Sequence, residues 1–360
     1  MIFSVVFICL ISNVRTDFEW SIAEPLHYER FYHTMSLLAN GKVLAVGTWE
    51  RDNGKTAELY DPLTGKWTLT GSMADVRFIH TATVLSNGKV LVVGGENNDG
   101  LPMNTAELYD PLTGQWSATG NLTVERSRHT ATLLSNGKVL VVGGIGRRGH
   151  ANMSELYDPS TGQWTSTKNE PITARYGHTA SLLSTGQVLI IGGVDSNYTV
   201  LNTTELYDPM KDMWIKRGSM SNPRALHTVS QLQNGKLLIA GGTLDRSTMI
   251  KTAEVYDSRD DTWTTAGSIK YERLYHTATV LPNGQVLITG GNLGFPSTVS
   301  FNSTELYDPI KGTWSDSGDM YSYRCYHAAC LLSNGTVLLS GGLRNGGYSQ
   351  NTAELYTFFK

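Results

Sequence analysis

The chain is poor in the features from which most catalytic, metal-bound or nucleic-acid-binding sites are built. Three cysteines in 360 residues are too few for a disulfide scaffold or a cysteine-rich metal module. Only 17% of residues are charged and the formal net charge is −3, so no basic stripe points to nucleic acid and no like-charge run suggests a solvated tail. No Gly-rich loop leads into a helical pattern, which removes the usual phosphate cradle, and no nucleophile elbow is present. Long apolar runs are missing as well. The N-terminal run from Ile2 to Ile11 is interrupted only by Ser4. It is about half the ~20 residues that a membrane-crossing helix needs.

That run has the length of a secretory h-region, with processing expected near Ser12 to Thr16. Residues 1–16 are therefore read as a signal peptide and residues 17–360 as the mature, secreted domain. No Lys or Arg precedes the apolar run, and the alternative is a misassigned start codon and a cytoplasmic protein. Cys9 would leave with the signal. Cys325 and Cys330 are five residues apart, about 16 Å along a strand. A disulfide needs Cα atoms within about 7 Å, so both are expected to be free thiols.

What the chain does have is a sevenfold repeat. Arg-x-x-His occurs at Arg30/His33, Arg77/His80, Arg126/His129, Arg175/His178, Arg224/His227, Arg273/His276 and Arg324/His327. The histidines are spaced by 47, 49, 49, 49, 49 and 51 residues. A period near fifty, punctuated by Gly-Gly and aromatic residues, marks a radial array whose single units cannot bury their own apolar faces. In the third unit, His129 to Ser135 reads as a strand. Asn136-Gly137 reads as a two-residue hairpin turn with both positions at positive φ. Lys138 to Val142 is apolar without alternation, as expected of a strand covered on both faces. Glu155 to Asp158 is a third strand running into a turn set by Pro159 and Gly162, and Trp164 opens a fourth.

Each unit is thus a four-stranded antiparallel meander, and the whole is an all-β, seven-bladed propeller. The seventh unit ends at Tyr356 without the Trp that follows in Trp67, Trp116, Trp164, Trp214, Trp263 and Trp314. Trp20 supplies it: the segment Glu19 to Ile22 is expected to add the outer strand of the last blade and leave no open edge. Gly-Gly stands in six units, but the first has Gly47-Thr48, where looser packing is expected.

The markers Arg-x-x-His, Gly-Gly, Tyr and Trp, recurring in register from Trp20 onward, resemble the kelch repeat. Seven copies of Arg and His, and of the Glu before Leu/Val-Tyr, point to a scaffold, because a catalyst needs one constellation. His327 and Cys330 have metal-ligand chemistry but stand in a strand with no other Cys or His cluster, so no metal or other cofactor is expected. Galactose-oxidase-like copper-radical enzymes resemble this chain in their blades and in an adjacent Tyr-His, found here at Tyr32-His33, Tyr275-His276 and Tyr326-His327. That resemblance also implies a Tyr cross-linked to a Cys where the preceding blade carries its His, and a further His from a domain after the propeller. All seven of those positions are His here, and Cys325 lies beside Tyr326, the wrong place for that cross-link. Kelch-type ubiquitin-ligase adaptors carry helical domains before the propeller, and no helical pattern precedes Trp20, so that role is not expected.

The expected function is non-catalytic recognition of a protein or a glycan by a monomer, with no nucleic acid and no membrane span. The alternative is a copper-radical oxidase or a relic of one. The Asn-Gly and Asp-Pro turns fall at one end of each blade and are nearly uniform. The loops after Gly-Gly and before Arg-x-x-His fall at the other end, vary, and are expected to carry binding. The candidates there are Tyr32, Trp49, Tyr323, Tyr326 and Tyr348, from the first and last units. Sequons at Asn121, Asn152, Asn197, Asn202 and Asn302 lie on this end in other units and are expected to be glycosylated, leaving the aromatic sector free. A sixth, at Asn334, lies at the opposite end.

Overall fold

The computed structural model describes residues 18–359 apart from Arg51, Arg246, Phe295, Pro296 and Thr298. The expected signal segment 1–16, and Cys9 within it, lie outside the described residues. Among the described residues every regular element is a β-strand. They form seven four-stranded antiparallel sheets, with two short hairpins at Ile145–His150 and Leu343–Ser349. The inner strands pack side by side in a ring that closes where Ala328–Leu331 meets Thr34–Leu37.

The unalternating second strands explain the architecture. In the third blade, Val139–Val142 is buried throughout. Val139 and Val141 pack with Leu91 and Val93 of the second blade. Leu140 and Val142 pack with Val188 and Ile190 of the fourth. Alternate side chains of one strand thus enter two different inter-blade cores, and seven such cores ring the molecule.

The expected closure is present. Phe18–Ala23 pairs antiparallel with Ala353–Phe358, with Trp20 opposite Tyr356. Their ring centroids are 5.0 Å apart, the same Tyr–Trp contact that the other six blades make at 4.9–5.1 Å. Cys325 and Cys330 are free and buried.

Two expectations are corrected. The Asn-Gly turns are not two-residue hairpins. The Leu134 N–H donates to Lys138 O and the Gly137 N–H to Leu134 O, so Ser135, Asn136 and Gly137 form a three-residue loop. Gly137 alone takes positive φ (+82°), and the same glycine does so in every blade. This is a type I turn followed by a left-handed glycine, in which Asn acts instead through its side chain, accepting the Lys138 N–H at 3.1 Å. Nor does Thr48 loosen the first blade. It is fully buried, and its hydroxyl accepts the N–H of Phe31 (3.2 Å) and of Glu50 (3.3 Å). The other blades pair backbone to backbone at this place, as Phe78 does with Glu96. Here a side chain takes over that acceptor role.

Candidate functional site

The repeated Arg, Glu and His form the frame that holds the variable loops. Each Arg is fully buried and ion-paired to the Glu of its own blade's third strand, as in Arg126–Glu155 at 2.7 Å and Arg324–Glu354 at 2.6 Å. Its other nitrogens donate to carbonyls, for example Gly143 O and Met153 O. The Glu also accepts loop N–H groups, Thr123 N on Glu155 and Tyr321 N on Glu354. The pair therefore pins the loop that enters the blade. Each His bonds through Nε2 to the preceding blade: Thr34 to His80, Thr81 to His129, and so on round to Ser340 and His33 at 2.9 Å. Burial pushes all seven imidazoles below their ordinary value, to about 3 at His80, His178 and His276. They are neutral structural links.

The residue before each His turns at positive φ: Tyr32, Ile79, Arg128, Gly177, Leu226, Tyr275 and Tyr326, all between 53° and 62°. Such backbone costs a bulky residue about 1–2 kcal/mol. Backbone hydrogen bonds from blade to blade hold it, with Tyr326 N on Tyr275 O, Tyr32 N on Tyr326 O and Ile79 N on Tyr32 O. These seven residues ring the mouth of the central channel, so the mouth carries three tyrosines on one side and Arg128 opposite.

The tyrosines form a cluster of tilted rings. Tyr275 and Tyr326 lie 4.0 Å apart by ring centroid, Tyr326 and Tyr32 4.2 Å, and Tyr32 and Trp49 6.2 Å. Phe31 stacks on Trp49 at 6.1 Å and 12°, and Trp49 reaches Phe78 of the second blade at 4.4 Å. One cluster of aromatic contacts therefore spans four blades, exposed at Trp49 and buried at Phe78. Burial, then the neighbouring Tyr275, raises Tyr32 and Tyr326 above the ordinary phenol value, so both stay protonated. Burial works against the charge of Arg128, but the tyrosines and Glu96 facing it raise its affinity for the proton overall.

Of the expected binding residues, the structure brings Tyr32, Trp49 and Tyr326 together. Tyr323 and Tyr348 make no ring contact with them. Both are exposed, at 45% and 65%, and Tyr348 packs with Arg344 in the Leu343–Ser349 hairpin. An open cleft lies between Phe31, Trp49 and Gly347 of that hairpin. Phe78 was missed as a member of this cluster. Phe78 stands two residues before its histidine, and Gly177 in one copy was the available sign that this loop turns at positive φ. The sequons differ in setting. Asn121 and Asn197 are exposed. Asn152 is half-buried with its amide on Glu170, and Asn202 and Asn302 donate their amide N–H to Met220 O and Met320 O, each at 3.2 Å.

The donor set does not fit a copper centre. The histidines are committed to inter-blade bonds, and no group of three or more His, Cys, Asp or Glu suited to a metal occurs among the described residues. Cys325 Sγ accepts from Ser300 and Asn292, and burial lifts its thiol to about 11.

Fold and frame together define a kelch-type propeller with a rigid sevenfold scaffold and one differentiated face. The KLHDC2/KLHL20/DRC7 Kelch-repeats domain matches residues 32–242, and the Kelch motif matches residues 273–321. The chain belongs to the kelch-repeat family. No curated protein matches it. Among solved structures it is similar to a fungal alcohol oxidase of the AA5 family in complex with copper, with a TM-score of 0.78 and 17% identity over 94% of this chain and 76% of that one. At that identity the likeness is one of fold.

Proposed function

We propose that the propeller is a binding module whose partner is a protein, docked on the loop face over Tyr32, Trp49 and Tyr326 and flanked by Tyr323 and Tyr348. The observation that carries this is the aromatic cluster itself. Its ring contacts run from Tyr275 through Tyr326, Tyr32 and Trp49 to the buried Phe78, with Trp49 45% exposed, while the corresponding loops of the third and fifth blades carry no Phe, Trp or Tyr. Tyr and Trp are the usual energetic anchors of protein interfaces, and here Tyr32, Trp49 and Tyr326 already pack against one another. Membership of the kelch family supports a binding role. Secretion and glycosylation belong to the same reading: the loop-face sequons lie outside the last and first blades, so glycans there would leave Trp49, Tyr323 and Tyr348 open.

A photo-cross-linking residue at position 52, in the cleft beside Trp49, compared with one at position 112 on the opposite face, tests the site. Partner cross-links are expected from 52 alone. The double substitution Trp49→Ala/Tyr348→Ala is expected to weaken the captured complex at least tenfold, about 1.4 kcal/mol, while the fold survives. Loss of binding from changes in the Asn-Gly turns instead would move the site to the other face. The alternative oxidase reading draws on Tyr32, Tyr275 and Tyr326 meeting at the mouth. Submicromolar copper binding lost in Tyr275→Phe or Tyr326→Phe would favour it. We expect no such binding and no alcohol oxidation.

A further inference from the structure

The tyrosines of the third strands pack on tryptophans, one pair in each blade. At the channel mouth tyrosine meets tyrosine. Among the described residues, ring contacts of that kind join only Tyr32, Tyr275 and Tyr326. Tyr326 is the shared member, with its ring centroid 4.0 Å from that of Tyr275 and 4.2 Å from that of Tyr32. We infer that Tyr326 is the site of an intramolecular dityrosine cross-link, formed with Tyr275 or Tyr32 under one-electron oxidation, that ties neighbouring blades covalently. The inference does not depend on the protein-partner reading.

Three features suit this place to coupling. Phenoxyl radicals join through ring carbons, which must first touch. Carbon atoms in contact lie about 3.5–4.0 Å apart. Rings with centroids at 4.0 and 4.2 Å, tilted by 38° and 49°, bring carbons within that reach. The rings are also held before any reaction. All three residues sit at positive φ, 56° at Tyr32, 53° at Tyr275 and 54° at Tyr326. The Tyr326 N–H donates to Tyr275 O at 3.2 Å and the Tyr32 N–H to Tyr326 O at 3.1 Å. Groups fixed so close react without a diffusive encounter. Each ring, finally, is half-buried. A small oxidant reaches it from the mouth, and coupling within the chain is favoured over coupling between chains.

In the coupling each phenol loses one electron to the oxidant and its O–H proton to water. The two radicals join through carbons ortho to their oxygens, forming one C–C bond. The hydrogen on each joined carbon leaves as a proton and a proton returns to each oxygen, so both rings end as phenols. The oxidant is a peroxide acting in one-electron steps: hydrogen peroxide takes up the two electrons and two protons and becomes two waters. The link to Tyr32 would cross the seam between the last and first blades, where the inner strands Ala328–Leu331 and Thr34–Leu37 meet. Cys325 and Cys330 are free, so among the described residues no disulfide reinforces that seam.

Irradiating the full chain with tris(bipyridyl)ruthenium and persulfate, a peroxide that accepts the same two electrons, tests this, with peptide mapping by mass spectrometry. The expected product is a monomer whose linked peptides lack two hydrogens and join position 326 to 275 or 32. Dityrosine fluorescence should appear with it. Its melting temperature should exceed that of the untreated protein, because the link restricts the unfolded chain. Tyr326→Phe keeps the ring and should lower the yield at least about tenfold, since coupling then needs a chance encounter. Tyr32→Phe/Tyr275→Phe leaves Tyr326 without a phenol neighbour and should do the same, so a folding defect in one variant does not decide the result. Tyr271→Phe, outside the cluster and 41% exposed, should leave the yield unchanged. Cross-links spread over exposed tyrosines such as Tyr198 and Tyr348, cross-links between molecules, or an unaltered yield in Tyr326→Phe would each overturn the assignment. A link that leaves melting unchanged would overturn its role as a tie between blades.

Discussion

At the scale of single residues, departures from the repeat carry more information than the repeat. Arg, Glu and His were legible as scaffold because they occur seven times, and the structure shows each as a buried pin or an inter-blade link. Thr48 was misjudged because loss of the second glycine reads as lost packing, whereas its hydroxyl replaces a backbone acceptor. Thr48→Val keeps the shape and removes that acceptor, leaving the Phe31 N–H without its partner. It should destabilise by about 1–3 kcal/mol and reduce partner binding through Trp49, as read by denaturant titration and binding assay. Glu155→Ala should cost more, about 3–5 kcal/mol, because it strands the Arg126 charge in a dry site; urea unfolding checks it. Glycan occupancy should likewise follow setting. Asn121 and Asn197 are expected to be loaded on secretion from a eukaryotic host, and Asn202 and Asn302 to be poorly used, since their amides already serve the backbone of the next loop. Intact-glycopeptide mass spectrometry reads this, and full occupancy at Asn302 would contradict it.

At the scale of elements, the strand that crosses the ends of the chain was legible from a deficit: seven tyrosines but only six following tryptophans. The turn type was not, because Asn-Gly is compatible with two loop lengths, and the choice between them rests on which hydrogen bond the flanking Leu and Lys make. The closing strand Phe18–Ala23 covers the edge of Ala353–Phe358, buries Trp20 to 8% exposure and stacks Phe18 on Tyr356 at 5.7 Å. Its loss should remove at least the about 3–5 kcal/mol that a buried Trp contributes. Deleting residues 1–28 should therefore lower the melting temperature strongly and promote aggregation through the bared edge. Deleting residues 1–16 should leave melting unchanged. Equal melting temperatures for the two truncations would contradict closure by this strand.

At the scale of the whole molecule, periodicity fixed the ring but not its mouth. Which side chains meet across a channel depends on the conformation at one position per blade, and a pattern of Tyr, Ile, Arg, Gly, Leu, Tyr and Tyr announces no common conformation except through its single glycine. The same ring geometry couples all seven blades to pH. Each His is buried neutral and bonded to the blade before it, with its folded-state proton affinity pushed below the unfolded value near 6.5. Between the unfolded value and the folded one, down to about 3 where it is resolved, the unfolded chain binds more protons than the folded one. Stability is then full above about pH 6.5 and falls as the pH drops, by up to about 1.4 kcal/mol per pH unit for each histidine fully protonated in the unfolded chain. Because all seven links are made by a buried neutral imidazole, the losses should compound and the ring should open in one steep acid transition, read by circular dichroism against pH. Replacing one link, His129→Gln, should lower stability at neutral pH and make the acid transition shallower by about one proton. An acid transition whose proton uptake is unchanged in that variant would show that the histidine ring does not set the acid limit of the fold.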